Sequence, residues 1–482
     1  MFLARKNPRG GLLIGDVFRN AARAVPERTA AVLGPQSITF GELDRRANRL
    51  AHTLARRGVQ HGDRVVVRAR TGLAVVPLFA ALAKLGAVYV PLDPALTDDE
   101  VRQQIAAAAP KLCISDGTRL ADTTVDELTG QGASAPDHDV EAPSLDETDP
   151  HVVFFTSGSS GHPKGAVLSH RVNYLRSHPG ALLEPRGAMV CPYPLFHMGA
   201  WTIAMQQWQA RDAVVLVDAT DASTIADAIV ASGATRLNCV PALWRRLLDQ
   251  RPADLSNVRH ADTGTSATPP ELLAEMRAAM PQAQLRIFYG STEAGSVAML
   301  DDRDIERKPG RVGVPAPSCE VRIDDGQLLV RGPLLFDGYL DDYDATAAAF
   351  VGDWYATGDR AETDADGYLS IVGRVGDVIR TGGESVTPSE VEAVLATAPS
   401  VRDVAVIGLA DRDWGEVVCA VVVCADGAEP PTVAGLRAHC EGRLAPFKHP
   451  RRVELVDAIP RTAATNQIQR RLLLERLQTR DH

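Results

Sequence analysis

Between positions 12 and 93 the spacing of apolar residues keeps changing, from every third or fourth residue to a short unbroken run. LLIGDVFRNAARAVPE and FGELDRRANRLAHTLARRG carry helical spacing, with TAAVLG and SITF between them. DRVVVRA (63–69) then reads as a buried strand, AVVPLFAALAKLGA (74–87) as a buried helix and VYVPLD as the next strand. A helix after each strand returns the chain to the same edge, so successive strands lie parallel and the fold class is α/β. Further units are expected at AVVLVD (213–218), a helix over 224–232, and TRLNCVPALWRRLLDQ. Residues 129–150, rich in Pro, Gly, Ser and Asp, read as an exposed connector.

The texture changes from about 320. EVRIDDGQLLVRG and WYATGDRAETDADGYLSIVGR are short strands with Asp-Gly turns, which predicts a β-rich subdomain. Beyond Gly373-Arg374 the pattern is compact α+β: a helix from Pro388, strands near VAVIGLA and CAVVVCA, and a final helix IQRRLLLERLQ. At 482 residues the chain is too long for one core. A large N-terminal domain of parallel α/β subdomains over 1–375 and a small mobile α+β domain over 376–482 are expected.

The net charge of −10 argues against an extended nucleic-acid surface, which needs clustered Lys and Arg. Seven scattered cysteines, an odd number without paired spacing, read as reduced structural thiols in a cytoplasmic protein rather than a disulfide framework or zinc site. The N-terminus lacks the apolar core of a signal peptide, and no run of about 18 apolar residues predicts a membrane span.

FFTSGSSGHPKG (154–165) ends an apolar strand in hydroxyls, glycines and one lysine, the makings of a phosphate cradle. It departs from the P-loop, because Lys164 follows Pro163 and precedes Gly165 rather than Ser or Thr. FHMGAW (196–201), DTGTSATPPEL (262–272), YGSTEAG (289–295), WYATGD (354–359), GRVGDVIRTGGESVTPSEVE (373–392) and PRTAATNQIQRR (460–471) follow in order. Together they resemble the adenylate-forming, AMP-binding superfamily of acyl-CoA synthetases, luciferases and peptide-synthetase adenylation domains. The motifs are most similar to those of fatty-acid and aryl-acid CoA ligases, and the resemblance covers nearly the whole chain.

That resemblance implies an acid–thiol ligase using ATP, Mg2+ and coenzyme A, or a phosphopantetheinyl carrier protein on a separate chain. It implies that Thr156, Ser157, Gly158, Ser159, Ser160, Gly161 and Lys164 close over the ATP phosphates. Tyr289 would stack on adenine, with Gly290, Ser291 and Thr292 beside the nucleotide. Glu293, with Thr156, would hold Mg2+; Asp359 and Arg374 would grip the ribose. Phe196, His197, Trp201, Thr265, Ser266 and Ala267 would line the acyl pocket, and Gly382 and Gly383 the pantetheine tunnel. Family members that activate α-amino acids carry an Asp near His197; its absence points to an apolar or aromatic carboxylate. The C-terminal domain would swing about Gly376 between the two half-reactions.

One position departs from the pattern. The family tail P-R-T-x-x-G-K-I-x-R places its lysine on Gln467 and its glycine on Asn466. With Thr156, Lys164 and Glu293, position 467 would complete the catalytic set, and glutamine brings no charge to it. Three readings stay open: a CoA ligase slowed in adenylation, a specialised relative with an altered ATP-dependent reaction, and a non-catalytic nucleotide-binding protein.

Overall fold

The computed structural model describes residues 11–478, apart from 118, 141–143, 158–162, 250–253, 382, 383, 412, 413 and 463–465. The chain divides into two compact units, one of residues 1–309, 316–320 and 331–355, the other of 310–315, 321–330 and 356–482.

The first unit is built on two sheets. In one, β1 (Arg64–Arg68) and β2 (Val88–Pro91) run parallel at the centre. β3 (Pro150–Ser157) lies parallel to β2, and β4 (Pro163–Ser169) turns back antiparallel to β3. Val65, Val66 and Val67 are all buried, as expected of a strand covered on both faces. The helix Val75–Leu85 is buried all round. Its one charge, Lys84, meets Asp44 at 2.6 Å and Asp139 at 2.8 Å, so no unpaired ammonium is buried.

After β4 come helix α1 (His170–Ser177), capped by Ser169, and helix α2 (Met198–Ala210), capped by His197. The second sheet contains β5 (His260–Gly264) and β6 (Gln284–Ser291) in parallel, with β7 (Gly295–Leu300) antiparallel beside β6. From β5 the order continues through Arg236–Cys239, Met189–Cys191, Val214–Leu216, Thr29–Leu33 and Gln36–Thr39.

In the second unit β8 (Trp354–Thr363) and β9 (Leu369–Arg374) form an antiparallel ladder that sets Asp359 opposite Arg374. β10 (Val401–Asp411) and β11 (Gly415–Cys424) pair along most of their length. Alternate residues face opposite ways: Val404, Val406, Val418 and Ala420 pack with Val391 and Leu395, while Ala405, Ile407, Cys419 and Val421 pack with Leu473 and Leu477. Period-two alternation between two apolar faces is why these strands read as continuous runs of Val and Ala.

Two elements differ from the sequence reading. The connector expected over 129–150 is entered by a helix, Val125–Gly132, whose start is a capping box of Thr124 and Glu127. Its Val125 and Leu128 face inward, and the polar residues that disguised it lie on the outer side. The final helix, α3 (Arg470–Gln478), begins later than expected because Ile468 bridges back to Arg461.

Candidate active site

The hydroxyl-rich loop joins two antiparallel strands rather than a strand and a helix. In the β3–β4 ladder Thr156 faces Lys164 and Ser157 faces Pro163. Gly158, Ser159, Ser160 and Gly161 lie outside the described residues.

At the hairpin base the Thr156 hydroxyl donates to Glu293 Oε1 at 3.1 Å, and Tyr339 Oη donates to the same oxygen at 3.3 Å. Lys164 Nζ stands 5.1 Å from the centre of the Tyr339 ring. Burial, followed by the Glu293 charge, raises the Tyr339 pKa, so its phenol stays protonated and donating. Tyr339 was missed in the sequence reading; it sits on a two-residue strand, Gly338–Tyr339, that pairs with β4 and carries no motif.

Glu293 sits in a tight turn between β6 and β7. A Cβ on Gly290 would lie 2.0 Å from Gly295 O, so only glycine lets the strands cross there. Ser291 Oγ accepts the Ala294 N–H at 3.0 Å, so this hydroxyl shapes the turn. Tyr289 and Thr292 are half-buried on either side. Beneath the turn lies Arg176 of α1, also missed: Nη1 donates to Thr292 O at 2.8 Å and Nη2 to Glu293 O at 3.1 Å. Nothing in the sequence marks Arg176, one of two arginines on a short polar helix.

The expected acyl wall is brought together only in part. Thr265, Ser266 and Ala267 are exposed just beyond the end of β5. Thr265 holds a left-handed φ of +73°, strained for a β-branched residue. Phe196 and His197 are half-buried. His197 Nδ1 accepts the Gly199 N–H at 3.1 Å, and burial lowers its pKa to about 4, so the ring is neutral near pH 7. Trp201 departs from the expectation. It is 3% exposed and stacks on Phe79 with centroids 3.9 Å apart, against Tyr89 and Trp208. One turn of α2 carries its ring round to the aromatic core.

In the second unit, Arg374 Nε meets Asp359 Oδ1 at 2.8 Å. The Asp359 N–H donates to Thr357 Oγ1, and that hydroxyl donates to Leu328 O, fixing the stretch of β8 that presents the carboxylate. Gly382 and Gly383 lie outside the described residues. Gly376 is exposed in a short 3-10 turn, with open space where a Cβ would stand.

Residues 18–340 match the AMP-binding enzyme family, and residues 390–465 match the AMP-binding enzyme C-terminal domain. The chain belongs to this family. The chain is 33% identical to indoleacetate–CoA ligase of Aromatoleum aromaticum, over 91% of this chain and 93% of that one. It is 32% identical to 2-succinylbenzoate–CoA ligase of Listeria monocytogenes, over 95% and 98% of the two chains. Its fold matches o-succinylbenzoate CoA synthetase of Bacillus subtilis, solved with an acyl-adenylate, with a TM-score of 0.87 and 27% identity over 95% and 97%. The protein is thus an AMP-binding enzyme of the acid–thiol ligase class.

Within this AMP-binding enzyme the described residues on either side of 463–465 bond to one another. Asn466 adopts φ +56°, the left-handed region that glycine and asparagine tolerate best, so asparagine fits where the family pattern has glycine. The Gln467 N–H donates to Thr462 Oγ1 at 3.0 Å, and Gln467 O accepts the Thr462 N–H at 2.9 Å. The residue itself is exposed. Arg461 donates to Asn466 O and to Asp403.

Proposed function

We propose that this enzyme activates an aromatic or apolar carboxylate with ATP and transfers the acyl group to coenzyme A, with adenylation slowed at Gln467. The observation that carries the reading is the pairing of Thr156 Oγ1 with Glu293 Oε1, 3.1 Å apart at the root of the hydroxyl-rich hairpin. A hydroxyl and a carboxylate side by side are the hard oxygen donors that suit Mg2+. Among the described residues no group of three His, Cys, Asp or Glu could hold an ion. The remaining ligands would come from phosphate oxygens and water, the usual arrangement for a nucleotide-bound magnesium. Bound there, Mg2+ would offset charge on the phosphates.

In this reading Lys164 and the hairpin hydroxyls cover the phosphates, Tyr289 faces the adenine, and Asp359 with Arg374 holds the ribose. The carboxylate oxygen bonds to the α-phosphorus and pyrophosphate leaves with the electrons of the broken P–O bond. The thiolate sulfur then attacks the acyl carbon and AMP leaves. The first step joins two anions, so positioning and charge compensation set its rate. The neutral His197 and the backbone at Thr265–Ala267 border the acyl group. No acidic residue occurs in the FHMGAW segment to receive an ammonium group. Indoleacetate and 2-succinylbenzoate, named for two relatives, are both aromatic carboxylates.

The glycine at 376 is not demanded by its present conformation, which supports a hinge that needs other φ/ψ values in a second state. Pyrophosphate release across aryl, alkyl and amino acids, with and without coenzyme A, tests the proposal. Aryl or alkyl acids should be preferred, and product should require coenzyme A. Preferential activation of an α-amino acid would refute the substrate reading.

A further inference from the structure

Arg176 is a buried cation that the reaction scheme leaves unused. It is 8% exposed, and its guanidinium donates from Nε to Leu334 O at 2.9 Å, from Nη1 to Thr292 O and from Nη2 to Glu293 O and Leu334 O. All of these acceptors are backbone carbonyls. Burial lowers its pKa to about 10, and the nearby charges of Glu293 and Asp337 oppose that shift, so it stays ionised at neutral pH. An arginine confined to three backbone carbonyls, two of them in one turn, fixes the turn rather than neutralising a side chain.

We propose that Arg176 is a positioning residue for the cation-holding carboxylate: by pinning the Thr292 and Glu293 carbonyls from below, it holds the Glu293 side chain against Thr156. The geometry around the turn is consistent with this. Glu293 O also accepts the Phe336 N–H at 2.7 Å, so the peptide is gripped twice. Gly295 takes φ +69°, and a Cβ there would lie 2.9 Å from Arg176 Nε, so the turn and the guanidinium fit closely together. α1 follows β4 directly. The chain segment that carries Lys164 therefore also carries the clamp on Glu293, so both groups beside the proposed phosphate site belong to one continuous stretch, β4 and α1. The proposal rests on the reading of Glu293 as a Mg2+ ligand.

Calorimetric titration of the full chain with ATP, with and without Mg2+, separates the two ideas. Arg176→Met should weaken ATP binding in Mg2+ by ~10-fold, the scale of losing charged hydrogen bonds, and leave binding without Mg2+ nearly unchanged. Arg176→Lys, whose single ammonium cannot span three carbonyls, should fall between Met and wild type. Glu293→Gln should show the same Mg2+-specific loss. Equal weakening with and without Mg2+ would mark Arg176 as merely structural and overturn the proposal. If Glu293→Gln shows the loss and both Arg176 variants do not, the Arg176 proposal alone is lost. If Glu293→Gln shows none, the reading of the carboxylate fails and the proposal falls with it. Should Arg176→Met not fold, the Lys variant carries the test under the same two outcomes.

Discussion

Restoring a lysine at position 467 is the perturbation that most directly tests how this enzyme handles charge. Gln467 is exposed, and its backbone N–H and C=O bond to Thr462. Gln467→Lys should therefore alter stability by less than ~0.5 kcal/mol. An ammonium ~4 Å from a phosphate oxygen contributes ~1 kcal/mol in water and ~4 kcal/mol at the effective dielectric of a protein surface. An exposed loop covered by substrate lies between these limits, at ~2–3 kcal/mol, which corresponds to as much as ~100-fold in rate. The gain requires that the charge meet the developing transition state rather than only the bound ground state. Single-turnover formation of acyl-AMP from ATP and an aryl acid measures the first half-reaction. Turnover of presynthesised acyl-AMP with coenzyme A measures the second. Faster adenylation with unchanged thiolation is expected. Faster thiolation alone would refute the placement of residue 467, and no gain in either half would favour a specialised reaction built around glutamine.

Asp359→Ala should weaken AMP binding by ~10-fold or more in calorimetry, because charge-assisted bonds to the ribose are lost and Arg374 is left without its partner. His151 and His170 are fully buried, with rings 4.6 Å apart, and burial lowers both pKa values, that of His170 to about 4. The unfolded chain protonates both near pH ~6.5, so stability is full above that pH and is lost as pH falls towards ~4, by up to ~1.4 kcal/mol per pH unit for each ring. Urea unfolding across this range should show that slope, and His170→Gln, which keeps an acceptor for the Ile14 N–H, should flatten it by about one proton. Gly290→Ala should cost ~3 kcal/mol or more, since its Cβ would meet Gly295 O at 2.0 Å; a thermal midpoint equal to wild type would refute that contact.

The α/β class was legible in the sequence because buried parallel strands and their helices write periodicity directly into residue order. The order of motifs likewise disclosed the family, since each is a local stretch whose backbone needs its own glycines and hydroxyls. Gln467 also stood out by residue order alone. Tertiary packing decided what each side chain touches. Trp201 belongs to a motif at the expected acyl pocket, yet the rotation of α2 stacks it on Phe79 in the core. Arg176 and Tyr339 lie far in sequence from Glu293, 117 and 46 residues away, and carry no motif around arginine or tyrosine that names a partner. A residue's burial and its hydrogen-bond partners depend on which strands become neighbours. That neighbourhood is set by the whole chain's packing, so only the folded structure places Arg176 beneath the turn that presents Glu293.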